Sequence, residues 1–298
     1  SGNPTDDGGH GSHVAGTIGA VGNNNVGVSG VAWKVQLMAI KAFPSTGSGS
    51  VSDIAAGINY AIAHGAHIIN ASYGETGSIG FSQTELAAIT AARNAGVIFV
   101  AAAGNESANL DVSRHYPASF PLDNIVTVSA STRSETMSAF SNYGTTVDLL
   151  APGESILSVG YTNNTGTATL SGTSMAAPHV AGALALLKAH FPADTYRQLI
   201  NRLLRGTDPI ARYAGKSQNG SRLNLLGALT ATQNALDYLV TTRGPVGEGW
   251  CLVLAKLFMA VFVLHATNTS LTICNSVSLC PRNTTSRRLP VVITSQKK

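Results

Sequence analysis

The stretch Gly172-Thr173-Ser174-Met175-Ala176-Ala177-Pro178-His179, continued by Val180-Ala181-Gly182, decides the fold prediction for this chain. It sets a serine between a glycine and a long apolar helical run, so Ser174 is predicted to lie at a helix N-terminus. The hydroxyl then lies near the positive end of the helix dipole, and Gly172 leaves room for a substrate to come close. A serine in front of an apolar helix is usually only its N-cap. A nucleophilic role for Ser174 therefore depends on partners elsewhere in the chain.

Two further motifs supply such partners. Gly9-His10-Gly11-Ser12-His13-Val14-Ala15-Gly16-Thr17 offers His10 as a base, and Val100-Ala101-Ala102-Ala103-Gly104-Asn105-Glu106-Ser107 ends an apolar strand in an amide. The Asn105 side chain could donate a hydrogen bond to an oxyanion, as acyl transfer requires. A lone histidine is more often structural, and an asparagine at this place is often a turn residue. A zinc site on His10 and His13 is disfavoured, because no carboxylate or cysteine ligand stands beside them.

The three motifs, in the order His, Asn, Ser, resemble those of the subtilases, the subtilisin-like serine endopeptidases. The resemblance covers about residues 1–235. It implies that Ser174 is the nucleophile, His10 the general base and Asn105 an oxyanion donor. It also implies polypeptide substrates, a propeptide or proteinaceous inhibitor as a partner, and secretion.

One feature departs from the family pattern. The family's triad begins with an aspartate that precedes the histidine, but only nine residues precede His10, and Asp6 and Asp7 resemble an ordinary turn before the helix. We therefore interpret the chain as a subtilase that lacks its N-terminal aspartate-bearing segment, and we expect it to be weak or inactive as it stands. The alternative is a catalytically impaired peptide-binding relative or an inactive fragment. An esterase of the α/β-hydrolase type is disfavoured, because its histidine follows a Gly-x-Ser-x-Gly motif.

Alternating strand and helix patterns predict an α/β fold, with a largely parallel sheet covered by helices on both faces in the three layers of the subtilisin-like fold. The predicted strands cover residues 35–40, 67–72, 97–100, 125–128 and 147–150, and the predicted helices cover 51–64, 84–94, 174–190 and 196–204. Strand order cannot be derived from these patterns. Ligands bind such sheets at the carboxyl ends of the strands.

The resemblance also implies a substrate cleft. Its pocket would be lined by Ser72, Tyr73 and Gly74 and by Ala102, Ala103 and Gly104, while Gly47, Ser48 and Gly49 would pair with the substrate backbone as an added strand. Without the resemblance, these segments are plain loops. Glu75 stands where many relatives carry glycine, and it could narrow the pocket or favour basic side chains.

An asparagine-rich loop follows the His10 motif. It resembles the family's tight calcium site, which implies the Asn24 side chain and the carbonyls of Gly22, Val26 and Val28 as ligands. Calcium takes six to eight oxygen ligands, including backbone carbonyls. In the family an aspartate from the segment that is missing here would normally help, so we expect structural calcium as the only cofactor, bound weakly. The alternative is an ordinary turn.

Composition divides the chain near residue 242. Residues 1–242 form the predicted catalytic domain, with 12 basic against 14 acidic residues, which gives no support for nucleic-acid binding. Residues 243–298 are a basic tail without family resemblance that holds all three cysteines, Cys251, Cys274 and Cys280. Its apolar stretch, 250–264, is fifteen residues long and contains Lys256, whereas a membrane span needs about twenty apolar residues. Membrane attachment through the tail is therefore not expected.

Overall fold

The central feature of the fold is one large sheet that runs through most of the chain. The computed structural model describes residues 5–44, 48–163 and 165–232, and the backbone of 290–295. The helices are α1 His10–Gly19, α2 Val51–Ala63, α3 Gly77–Gly80, α4 Gln83–Asn94, α5 Thr173–His190, α6 Tyr196–Arg205 and α7 Leu225–Thr230. The strands are β1 Gln36–Ala39, β2 Ile68–Ser72, β3 Glu75–Thr76, β4 Ile98–Ala102, β5 His115–Tyr116, β6 Ile125–Ser131, β7 Leu149–Pro152, β8 Ile156–Val159, β9 Thr167–Leu170, β10 Asp208–Pro209, β11 Ser221–Arg222 and β12 Pro290–Ser295.

The large sheet has eight strands in the order β1-β12-β2-β4-β6-β7-β11-β10. All neighbours in it run parallel except the edge pair β10 and β11, which is antiparallel. Two small antiparallel pairs, β3 with β5 and β8 with β9, lie outside it. The prediction of a largely parallel sheet is confirmed.

Helices cover both faces of this sheet. On one face, α5 packs against β2, β4, β6 and β7 and against α1. Its apolar residues form one core cluster with strand residues such as Ile68, Val100 and Val126. On the other face, residues of α2 and α4 enclose a second cluster with Ile69, Phe99 and Ala101. The alternation of successive strand residues between the two clusters is the period-two geometry of a strand buried on both sides. The structure therefore has the three layers that the sequence predicts.

The tail enters the fold at one described place. Residues 290–295 form β12, which pairs in parallel with both β1 and β2. The domain boundary at 242 stays a prediction, and the apolar stretch 250–264 and the three cysteines lie outside the described residues. Among the residues that the structure does describe, no helix is long and apolar enough to cross a membrane.

Candidate active site

Ser174 is the second residue of α5, as the sequence predicts. Pro178 lies in the same helix four residues later and has no N–H, so it cannot donate the usual helical hydrogen bond to the Ser174 carbonyl. That carbonyl accepts instead from the Ser72 hydroxyl at 2.8 Å. Among the described residues, the Ser174 hydroxyl has one long contact, 3.4 Å, to the Ser72 carbonyl. The backbone of Ser174 is thus fixed to the end of β2, while its hydroxyl is only weakly engaged.

Asn105 follows β4 and is tied directly to the residue before Ser174. Its Oδ1 accepts from the Thr173 backbone N–H at 2.8 Å and from the Thr173 hydroxyl at 3.0 Å. A backbone N–H can only donate, so these bonds identify the oxygen of the amide and make Nδ2 its donor end. A Cβ built on Gly172 would lie 3.6 Å from that Nδ2. The amide donor is therefore held beside the approach to Ser174.

His10 is the first residue of α1, and a capping network precedes it. The Asp6 Oδ1 accepts from the N–H groups of Gly8 and Gly9 at 2.9 and 2.8 Å, and its Oδ2 accepts from the N–H and hydroxyl of Ser12, each at 2.7 Å. Burial would raise the pKa of Asp6, but these hydrogen bonds outweigh it and the pKa is lowered. Asp6 thus caps α1 as an ionised carboxylate.

His10 itself has an unusual electrostatic setting. Burial, reinforced by the neighbouring His13, lowers its pKa to about 4, although the Asp6 charge acts in the opposite direction. Its Nδ1 is buried and has no hydrogen-bond partner among the described residues. The other upstream carboxylate, Asp7, forms an ion pair with Lys41 at 2.6 Å. His10 is therefore neutral at neutral pH, which is the form that can accept a proton.

One cavity brings these side chains together. His10, Asn105 and Ser174 line it, and so do five of the predicted pocket residues: Ser72, Tyr73, Gly74, Ala102 and Gly104. The sixth, Ala103, is fully buried in a small cluster with Leu110 and Val147. Ser48 and Gly49 precede α2 and are not among the lining residues, and Gly47 lies outside the described residues.

The wall of the cavity includes two ionisable residues that sequence reasoning missed, Glu106 and His115. The Glu106 Oε2 lies 3.5 Å from the His115 Nδ1 and accepts from the Asn142 amide at 2.7 Å. Glu75, by contrast, is not a lining residue, and its carboxylate accepts from the N–H of its neighbour Thr76. Glu106, and not Glu75, is therefore a carboxylate of the cavity wall. His115 lies on a two-residue strand with no motif to identify it.

Tyr73, one of the residues that line the cavity, forms a buried pair with Glu85. The Tyr73 hydroxyl donates to the Glu85 Oε1 at 2.8 Å, and both residues are at most 6% exposed. Burial raises the pKa of Glu85 to about 7, although the hydrogen bond from Tyr73 lowers it. Because Tyr73 is itself one of the predicted pocket residues, this bond joins the cavity wall to the buried Glu85 of α4.

The predicted calcium loop connects α1 to β1. Within it, the Asn24 Oδ1 accepts from the Val26 N–H at 3.1 Å, which closes a local turn. The predicted ligands would supply four neutral oxygens, fewer than the six to eight that calcium takes. Among the described residues, no group of three or more His, Cys, Asp or Glu side chains could hold a metal ion. The loop alone therefore does not complete a calcium site.

Two other histidines are used structurally. The His13 Nε2 lies 2.9 Å from the Ile156 carbonyl and 3.1 Å from the Ala168 carbonyl, which makes it a donor to β8 and β9 rather than a zinc ligand. The His179 Nδ1 donates to the Met175 carbonyl one turn back in α5, at 2.8 Å. Neither residue lines the cavity. Since His179 and His190 share α5 with Ser174, neither can fold back onto it.

Comparison with known proteins decides the family. Residues 1–228 match the Subtilase family, Peptidase_S8. The chain belongs to the subtilases. It is 43% identical over 198 residues to a thermostable alkaline protease of Halalkalibacterium halodurans, covering 66% of this chain and 52% of that protein. It is 44% identical over 200 residues to Subtilisin Savinase of Lederbergia lenta, covering 67% and 70% of the two chains.

A solved structure supports the same fold. The crystal structure of a cold adapted subtilisin-like serine proteinase matches this subtilase with a TM-score of 0.64 and 35% identity, over 73% of this chain and 75% of that one. The chain spans about half the length of some curated relatives that it matches and 70% of others. The motifs that led to the family prediction, around His10, Asn105 and Ser174, lie within the matched residues.

Proposed function

We propose that this subtilase is a serine endopeptidase in which Ser174 forms the acyl-enzyme, His10 is the general base and Asn105 binds the oxyanion. The observation that carries the proposal is the tie between Asn105 and Thr173, with bonds of 2.8 and 3.0 Å to one amide oxygen. This tie leaves the amide donor beside the nucleophile before any substrate binds. Donors preorganised in this way stabilise charge that develops only in the transition state.

The proposed steps follow from the chemistry of these groups. The Ser174 Oγ forms a bond to the carbonyl carbon of the substrate, and the neutral imidazole of His10 takes the hydroxyl proton. The carbonyl oxygen becomes an oxyanion, to which the Asn105 Nδ2 and a backbone N–H donate. His10 then gives its proton to the leaving amine as the C–N bond breaks. Water hydrolyses the acyl-enzyme by the same sequence and restores the serine.

An impaired enzyme is the second candidate, and one observation favours it. The His10 Nδ1 has no hydrogen-bond partner among the described residues. In a serine triad, a carboxylate at this nitrogen holds the reactive tautomer and stabilises the imidazolium. Without one, we expect slow turnover, and at the limit a cleft that binds peptides without cleaving them.

The proposal also includes the binding partners of the enzyme, its cellular location and a calcium ion. Polypeptides would be the substrates, a propeptide or proteinaceous inhibitor would occupy the same cleft, and the enzyme would be secreted. Calcium would bind at the Asn24 loop with low affinity, because the loop offers few oxygens and no carboxylate. Nothing in the reaction depends on that ion.

The test is hydrolysis of an internally quenched peptide by the wild type, by Ser174→Ala and by Ser134→Ala, which removes an exposed serine that does not line the cavity. The magnitudes known for subtilisin set the scale: loss of the serine costs about 2 × 10⁶ in kcat, and loss of the aspartate costs about 3 × 10⁴. Such losses are not additive, because an enzyme that already lacks the contribution of the aspartate can lose only the remaining part of the total. Ser174→Ala should therefore lower kcat by only about 10² if His10 lacks a carboxylate partner.

A drop near 10⁶ for Ser174→Ala would instead mean that His10 has such a partner and that the impaired alternative is wrong. Ser134→Ala should retain the wild-type rate. Equal rates in the wild type and in Ser174→Ala would contradict the proposed function. If peptide binds to the wild type but no cleavage is detected, the peptide-binding alternative is supported.

A further inference from the structure

The strands β1 and β2 do not pair with each other in the described part of the sheet, because a third strand, β12, lies between them. Gln36, Leu37, Met38 and Ala39 pair with residues 290–293, and Ile68 to Ser72 pair with residues 291–295. No direct pairing joins β1 to β2 among the described residues. Without β12, two parallel strand edges would face each other across a space one strand wide.

This space lies inside the fold and not at its edge. Every residue of β2 is buried, and both α1 and α5 contact β12. Strands in the interior of parallel sheets are near-continuous apolar runs, and residues 291–293 of β12 are Val-Val-Ile. β-Branched residues of this kind favour strands. The composition of the segment therefore matches the place that it occupies.

The distance along the chain does not prevent this arrangement. Residues 233–289 separate β12 from the last described residue of the catalytic region. The entropic cost of closing a loop grows only with the logarithm of its length, about 0.6 kcal/mol for each doubling. Two rows of backbone hydrogen bonds, one to each neighbour, are available to offset that cost.

We propose that the space between β1 and β2 is a strand-binding site and that residues 290–295 of the same chain occupy it as a complementing strand. Main-chain hydrogen bonds to both neighbours would provide affinity, and the apolar β-branched side-chain types would provide specificity, as in other cases of strand addition. The proposal concerns folding and does not depend on the proposed chemistry.

Strand complementation has a consequence for the active site. Position 295 is the register partner of Ser72, which lines the cavity with His10 and Ser174. The helix α1, which begins at His10, rests on β12. Occupation of the strand-binding site therefore supports the element that carries the general base.

Hydrogen–deuterium exchange of the full chain, without substrate, tests the proposal. The amides of residues 291–295 should be protected to the same degree as those of β2. Ile293→Pro removes a ladder N–H and should speed exchange in Gln36–Ala39 and Ile68–Ser72 by about tenfold or more. The matched control, Ile273→Pro, changes an isoleucine of the tail outside β12 and should leave the exchange of both strands unchanged.

Three outcomes decide the matter. Exchange of residues 291–295 at the rate of a free peptide, with β1 and β2 protected, would overturn the proposal. Protection only in a concentration-dependent dimer would mean that a second copy fills the site, which would also overturn occupation by the same chain. If Ile293→Pro does not fold, a synthetic peptide of residues 288–298 should restore protection of β1 and β2 when it is added during refolding. Protection in the wild type decides the question even then, and it does not depend on whether the enzyme is active.

Discussion

The two sides of β2 in the central sheet are built differently. On one side, β2, β4, β6 and β7 follow in sequence order and every residue of the first three is buried; we call this the continuous half. On the other side, β12 lies between β1 and β2 although it is about 200 residues or more away from both in sequence; we call this the crossed half. In the continuous half, the Asn105 amide oxygen accepts from the N–H of Thr173, the residue before Ser174. His10 belongs to α1, which packs against α5 and β8 and also against β12 of the crossed half. The proposed nucleophile and oxyanion donor are therefore held by the continuous half, whereas the helix of the proposed base also contacts a segment that is distant in sequence.

Among the variants that test this comparison, we expect the largest change in kcat from Asn105→Ala, in the continuous half. Its amide donor should act only on charge that develops in the transition state, so kcat should fall by about 10² to 10³ with little change in KM. That range is the one known for subtilisin. Steady-state kinetics on a peptide substrate checks it, with Asn94→Ala at the exposed end of α4 as the control. A change in KM alone would make Asn105 a substrate-binding or turn residue.

A carboxylate introduced into the crossed half should have the next largest effect. Position 295 is the register partner of Ser72, which lines the cavity with His10. We expect a carboxylate at this position to serve as a partner of the His10 Nδ1, so Ser295→Asp should raise kcat by about tenfold. Thr294→Asp is the control, because the register partner of position 294 is Ala71, which is not among the residues that line the cavity. An equal gain in kcat in both variants, or a gain in neither, would contradict the expectation that a carboxylate at position 295 partners His10.

A pH-dependent stability effect is expected on the other face of the continuous half. Burial raises the pKa of Glu85 to about 7, so between pH 4.5 and 7 the folded chain binds more protons there than the unfolded chain. Stability from this group is complete below pH 4.5 and is lost as the pH rises through 7, by about 3 kcal/mol in total. Glu85→Gln should remove that loss.

Thermal unfolding between pH 4 and 8 measures this difference, with the exposed Glu75→Gln as the control. The lowered pKa of His10 acts with the opposite sign, because the unfolded chain takes up the proton first as the pH falls from 6.5 to 4. Both variants keep His10, so the difference from the wild type isolates Glu85. An unchanged pH profile in Glu85→Gln would contradict the assignment.

The sequence predicted the continuous half well for a physical reason. Its strands and helices are long, periodic and apolar, so the predicted strand 67–72 and helix 174–190 agree with β2 and α5 within one residue. The Ser174 hydroxyl and the Asn105 amide lie in motifs at the ends of these elements. Predictions of such motifs need only local chain geometry.

The crossed half could not be predicted in the same way. Strand order depends on packing between distant segments, and a six-residue segment of the tail with four β-branched residues carries no signal of its partners. The same limit applies to Glu106 and His115, which reach the cavity wall from short loops and a two-residue strand. Their placement depends on tertiary contacts that no local pattern encodes, such as the hydrogen bond that the Asn142 side-chain amide donates to the Glu106 carboxylate.

The smallest effect is expected at the calcium loop. Because its donors are neutral and few, 10 mM calcium should raise the unfolding temperature by only about 2 °C relative to a chelator. Asn24→Ala should abolish that shift, and Asn94→Ala should retain it. A rise of about 10 °C would show that the loop, with other residues, forms a tight site.

The most direct test of the central claim, that Ser174 is a nucleophile activated by His10, is labelling with a fluorophosphonate followed by mass mapping of the adduct. We predict a single adduct on Ser174, lost in Ser174→Ala and much slower in His10→Ala. Because the pKa of His10 is about 4, the labelling rate should change by no more than about twofold between pH 5.5 and 7.5. A histidine with the ordinary pKa would give about a tenfold change over that range. An adduct elsewhere, or equal labelling of the wild type and His10→Ala, would contradict the account.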